Sequence, residues 1–211
     1  MRYQLVASLR RAIVVTIVFL LLLGIGYPLL ETAIGQAFFS HQANGSLTTD
    51  GSTLIGQDWA LTPCPGHLPG SCVFQGRPDD LGPYAANPAK GVSGGDNPLV
   101  ANGVLGGSGP TNLGPRSKTL VADTRELIAY WKARGVIPTP DLVTTSGSGL
   151  DPDITPADAI AEVPMVSAAT GIPRAALEKL IAQQTTGRQL GFLGSGYVDV
   201  LKLNMALAKM R

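Results

Sequence analysis

The residues best equipped for chemistry are few. Cys64 and Cys72 are the only cysteines, and they flank His67 in Pro63-Cys64-Pro65-Gly66-His67-Leu68-Pro69-Gly70-Ser71-Cys72. Two outcomes suit that spacing. Its prolines and glycines favour a closed turn, which suits a disulfide worth roughly 2 to 3 kcal/mol by loop closure. A metal site is the alternative, but it would have only three soft ligands, and an oxidising compartment disfavours free thiolates. Ser146-Gly147-Ser148-Gly149 approaches a nucleophile elbow, yet the G-x-S-x-G register fails and only His41 and His67 are available as a base. Asp151-Pro152-Asp153 with Asp158 offers carboxylates to a hard cation, although Asp beside Pro ahead of a helix is more often turn and cap chemistry. Ser93-Gly94-Gly95-Asp96-Asn97 can form either an anion-binding nest of backbone N–H groups or a plain tight turn. No Walker A pattern occurs, so the chain is not a P-loop ATPase.

These residues depend on elements that the rest of the chain specifies. The 19 residues from Ala12 through Leu22, Gly24 and Gly26 to Leu30 carry no charge, and as a helix they span about 28 Å, close to the roughly 30 Å of a hydrocarbon core. Apolar side chains cover every face of this run, which predicts a transmembrane helix in place of an amphipathic core helix. Arg2, Arg10 and Arg11 precede it, and the first basic side chain after it is Arg77, so the positive-inside rule puts the N-terminus in the cytoplasm. A cleaved signal peptide is the competing reading, with Gly35 and Ala37 as a small-x-small pair, but the run exceeds the usual 7 to 15 residue signal core. The sequence therefore predicts a cytoplasmic N-terminus over 1–11, a membrane helix over 12–30 and one exported domain over 31–211.

That domain is expected to be α+β and loop-rich. The 211 residues are 45% hydrophobic, enough for one core. With a net charge of +1 and 15% charged residues, the chain lacks the basic field that nucleic-acid binding requires. Asp50-Gly51 between β-favouring residues predicts a hairpin over 47–55. The segment 63–115, dense in Gly, Pro, Asn and Ser, reads as an irregular excursion. Helices are predicted over 117–134, from Thr155 to about Thr170, over 173–184, and over 200–208 with Asp199 as cap. Residues 136–145 are apolar and β-branched but contain Pro138 and Pro140, so an edge strand is the most they allow.

Several segments are similar in order to the KdpC family, the C subunit of the Kdp potassium-transporting ATPase. They are Tyr27-Pro28-Leu29, Gln42-Ala43-Asn44-Gly45-Ser46, Gly51-Ser52-Thr53-Leu54-Ile55-Gly56-Gln57, Phe74-Gln75-Gly76-Arg77-Pro78 and Ser93-Gly94-Gly95. The stretch from Asp141 to Pro156 is the most specific, and Leu190-Gly191-Phe192-Leu193-Gly194 and Val200-Leu201-Lys202-Leu203-Asn204 complete the resemblance. The chain departs from the family pattern in the Cys64–Cys72 and Pro98–Gly109 links, which are longer, and in Asp79 and Asp96, which stand where the family usually has Ser.

The resemblance implies a non-catalytic accessory subunit in the bacterial cell membrane. Its partners would be a channel-like potassium-translocating subunit and a P-type ATPase subunit. It would hold no cofactor of its own, with ATP and potassium handled by the complex. It would promote ATP binding by the ATPase subunit, and with the domain on the side away from ATP that effect would pass through membrane helices. Gly76, Arg77, Ser93, Gly94, Gly95, Ser146, Gly147, Ser148, Gly149 and Asp151 are then expected in partner contact or domain architecture. A free-standing anchored enzyme or solute-binding domain is the alternative from another class.

Overall fold

The computed structural model describes residues 2–57, 59–60, 62–78, 112–148 and 151–211. The predicted roles of Ser93, Gly94, Gly95 and Gly149, the Pro98–Gly109 link, Asp79 and Asp96 fall outside the described residues. The chain divides into two compact units, Met1–Ser46 and Leu47–Arg211.

In the first unit, helix α1 (Arg2–Leu21), a π-helical segment (Leu22–Gly26) and α2 (Tyr27–Phe38) run as one continuous helix, followed by the single turn α3 (Ser40–Ala43). Tyr3–Phe38 is long and apolar enough to cross a membrane, with a mean hydropathy of 2.6 over its most apolar window. The helix thus extends beyond the uncharged run at both ends, because the flanking residues keep helical backbone. The π segment has a local cause. Pro28 has no N–H, and its ring would press on the carbonyl of Gly24 in a regular α-turn; the wider turn, closed by Tyr27 N–H to the Leu22 carbonyl, relieves that clash.

The second unit opens with a hairpin of two-residue strands, β1 (Leu47–Thr48) and β2 (Gly51–Ser52), paired antiparallel with Leu47 opposite Ser52. Helix α4 (Lys118–Ala133) starts where the Ser117 hydroxyl accepts from Leu120 N–H, and it buries Leu127 and Trp131. Residues 136–145, for which the sequence allows an edge strand at most, contain no strand but a 3-10 turn over Asp141–Val143. Pro138 and Pro140 remove ladder donors, and the turn instead lets Leu142 bury completely while its carbonyl accepts Trp131 Nε1 at 2.8 Å.

A small antiparallel sheet follows, in the order β3 (Asp153–Ile154), β5 (Tyr197–Asp199), β4 (Thr185–Thr186). Helices α5 (Pro156–Thr170), α6 (Arg174–Gln184) and α7 (Val200–Ala208) pack on one another and on β5. Their ends follow from local chemistry. The Thr155 hydroxyl accepts from Asp158 N–H at 3.2 Å while the Asp158 carboxylate accepts from Thr155 N–H at 2.9 Å, a complete capping box. Gly171 ends α5 with a φ of 74°, a left-handed value that costs a glycine little. Asp199 caps α7 by accepting from Lys202 N–H at 3.0 Å. Phe74, Leu142, Ile154, Val163, Leu177, Ile181, Val198, Leu203 and Leu207 form the core. The architecture is the α+β domain after an apolar helix that the sequence predicts.

Candidate functional site

Phe74-Gln75-Gly76-Arg77-Pro78 forms no helix or strand, so its backbone groups need partners from elsewhere. Two distant side chains supply them. Asn204 on α7 accepts from Phe74 N–H at 2.9 Å and donates to the Phe74 carbonyl at 2.8 Å, standing in for a neighbouring strand. Glu162 on α5 accepts from Gln75 N–H at 2.8 Å. The Gln75 side chain accepts from Tyr130 Oη at 2.8 Å and donates to the Gly70 carbonyl at 3.2 Å. Phe74, Gln75 and Glu162 are essentially without solvent contact.

Glu162 is the most perturbed group in this network. Complete burial pushes its carboxyl well above the ordinary range, Asp158 adds to that push, and the bond from Gln75 N–H opposes it. Its Oε1 has no hydrogen-bond partner, which suits a neutral acid better than a carboxylate.

The disulfide loop leads directly into the clamp. Cys64 and Cys72 are joined, with Cα atoms 5.6 Å apart, so neither thiol is available to a metal. Gly70 lies inside the loop at a φ of 77°, and a Cβ there would sit 2.6 Å from the Ala60 carbonyl oxygen. Only glycine fits there.

The clamp brings Arg77 to the Asp141–Pro156 signature. Its Nη2 donates to the Thr144 and Thr145 carbonyls at 3.4 Å each, and Nη1 lies 3.6 Å from the Asp151 carboxylate. Ser146 N–H donates to the Pro78 carbonyl at 3.0 Å, and Ser146 Oγ bonds to Ser148 Oγ at 3.1 Å and to Asp151 Oδ2 at 3.4 Å. Asp151 Oδ1 also accepts from Asp153 N–H at 3.2 Å, an Asx-type turn leading into β3. Both partners of the Arg77–Asp151 pair are partly exposed, so it contributes at most about 1 kcal/mol. Asp153 is pushed up to about 6 by burial, then by Asp151 and Asp199, with Lys202 opposing.

Gly76, Arg77, Ser146, Ser148 and Asp151 are therefore gathered at one place. Gly147 sits among them, but its glycine is not demanded: its φ is not left-handed, and a Cβ would meet nothing within 4 Å. Backbone freedom is therefore not what Gly147 contributes to the domain architecture. Among the described residues, Ser146 bonds to Pro78, Ser148 and Asp151 and to neither histidine. The cleft beside Gly76 and Asp151 holds about 10 Å³, room for a water molecule. As arranged, these groups position one another and present a partly exposed polar patch.

Sequence reasoning missed Glu162 and Asn204. Each left a faint signal, since both are polar residues on otherwise buried helix faces: Glu162 four residues from Asp158, and Asn204 between Val200 and Leu207.

Comparison with known proteins covers almost the whole chain. Residues 9–209 match the family KdpC, described as K+-transporting ATPase, c chain. A potassium-transporting ATPase KdpC subunit from Acidobacterium capsulatum is 38% identical over 207 residues, covering 96% of this chain and 98% of that protein. The like-named subunits of Rhodopseudomonas palustris and Geobacter sulfurreducens are 40% and 39% identical, each covering 95% of this chain and 96% of the relative.

Proposed function

The chain belongs to the KdpC family, the c chain of the K+-transporting ATPase, and from that membership we propose that it works as the accessory subunit of an ATP-driven potassium uptake complex. The observation that carries this reading is the extent of the family match, which runs through the apolar helix and the domain alike.

In this reading the subunit catalyses nothing itself and holds no cofactor. It stabilises the assembly of a channel-like potassium-translocating subunit with a P-type ATPase subunit, and it promotes ATP binding by the latter. The apolar helix anchors it in the bacterial cell membrane, with the N-terminus cytoplasmic and the domain outside. The basic residues ahead of the uncharged run support that orientation, and so does the Cys64–Cys72 disulfide, which suits an oxidising compartment. ATP and this domain then lie on opposite sides of the bilayer. Any effect on ATP affinity is a coupling free energy carried through the membrane helices. Gly76, Arg77, Ser146, Ser148 and Asp151 serve domain architecture and partner contact.

Two measurements test this reading. Cells that depend on the complex at limiting potassium should stop growing without this chain and recover when it is supplied; unchanged growth would overturn the accessory role. A thiol reagent that cannot cross membranes should label Lys179→Cys and miss Ser8→Cys in intact cells, with no free native thiol to interfere. The reverse pattern would overturn the orientation.

A further inference from the structure

The β3–β5 ladder sets two like charges side by side. Asp153 on β3 lies opposite Asp199 on β5, so both side chains leave the sheet on the same face. Val200 N–H donates to the Pro152 carbonyl at 3.0 Å, which makes 152 and 200 a hydrogen-bonded pair. The next pair, 153 and 199, is then of the type in which opposite side chains come closest. Like charges so placed repel, and water screens them little here, because Asp199 is buried and Asp153 half-buried.

Three carboxylates meet at this joint. Asp199 accepts from Lys202 N–H and pairs with Lys202 Nζ at 2.8 Å. Asp151, in the turn leading into β3, faces Arg77 and Ser146. Among the described residues no cation pairs with Asp153. The other charged groups nearby are engaged elsewhere: Tyr197 on β5 acts on Lys202, and Asp158 and Glu162 of α5 bond to Thr139, Thr155 and Gln75. Burial, then Asp151 and Asp199, push the Asp153 carboxyl up to about 6, with Lys202 opposing.

We propose that Asp153 and Asp199 form an acid-operated fastener, in which a proton taken up by Asp153 from the surrounding solution locks β3 onto β5 and its loss at higher pH loosens the joint. The proton turns a repelled carboxylate into an O–H that donates to Asp199. Its contribution is complete below the ordinary Asp value of about 3.9 and is lost as pH rises through about 6. The turn before β3 carries Asp151, so the fastener also steadies that residue on Arg77. That the solution is the one outside the cell rests on the orientation proposed above. The titration itself is blind to orientation, so reversed thiol labelling would relocate the fastener and leave it standing.

The test follows the full chain in detergent, with carbon-13 at its Asp side-chain carboxyls. The resonance lost in Asp153→Asn should titrate in wild type at about 6. In Asp151→Asn the amide keeps the bond from Asp153 N–H but not the charge, and the Asp153 midpoint should fall by about one pH unit. Exchange of Val200 N–H, corrected for its intrinsic pH dependence, should slow about tenfold in wild type from about pH 7.5 to 5. It should stay slow throughout in Asp153→Asn, whose amide donates to Asp199 at every pH. A midpoint at about 4, a midpoint that Asp151→Asn leaves in place, or a Val200 exchange with the same pH dependence in both proteins would overturn the fastener. Asp151→Asn decides the matter alone if Asp153→Asn does not fold.

Discussion

Replacing Glu162 by Gln tests whether the clamp on Gln75 depends on a neutral acid. The folded carboxyl titrates well above its ordinary value because burial disfavours its charge. The folded state therefore holds a proton that the unfolded state has released once the pH exceeds about 4.3. The sign follows from that. Stability from this group is fully present below the unfolded value and is lost as pH rises toward the folded value, at up to about 1.4 kcal/mol per pH unit. For a domain of this size that corresponds to roughly 4 °C of melting temperature per unit. Gln keeps an oxygen for Gln75 N–H but cannot ionise; its amide meets the space where Oε1 has no partner, so it costs about 1 kcal/mol where the acid is neutral. Wild type should accordingly be the more stable at pH 5 and lose its advantage steadily toward alkaline pH. Asp153, pushed up to about 6, acts with the same sign, but it is common to both proteins and cancels in the difference. Thermal unfolding of the two proteins in detergent from pH 5 to 9 gives the comparison. Parallel curves would refute the neutral-acid reasoning.

The other expectations concern single contacts. Asn204→Ala strands the Phe74 N–H and carbonyl in the core and should cost about 3 kcal/mol by chemical or thermal unfolding, with a loss under 1 kcal/mol arguing that water replaces the amide. Thr155→Ala removes one arm of the capping box and should cost about 1 kcal/mol, visible as a small drop in melting temperature with assembly intact. Gly70→Ala drives a Cβ into the Ala60 carbonyl and should destabilise by more than Gly147→Ala, whose position is open; equal effects would contradict the geometry. A Cβ at Gly24 meets only ordinary contact with Leu20 within its own helix, so Gly24→Leu should insert normally, and reduced co-purification would place Gly24 against a partner helix.

The elements legible in the sequence were those whose signals are local. Thr155, Pro156 and Asp158 announce the start of α5, and Asp199 caps α7, because a cap is decided within four residues. The apolar helix was legible from length and composition, although its π segment was not; Pro28 alone does not say how the preceding turn will adjust. The sheet was illegible because strands of two or three residues carry no periodicity. Over 136–145, where the sequence allows an edge strand at most, burial of Leu142 and its bond to Trp131 outweigh β propensity. At the candidate site, the resemblance singled out Arg77, Ser146 and Asp151, but only the fold shows them in contact. The side chains that bring them together, Glu162 and Asn204, lie 87 and 130 positions from their partners, a separation at which no local pattern survives.

Purification of this chain in mild detergent from membranes that contain the whole complex is the most direct measurement of its role. An accessory subunit should co-elute with the larger multi-span subunits, in a particle whose ATP hydrolysis is stimulated by potassium and weakens when the chain is omitted. A chain that elutes alone, from a complex that hydrolyses ATP equally well without it, would contradict the account.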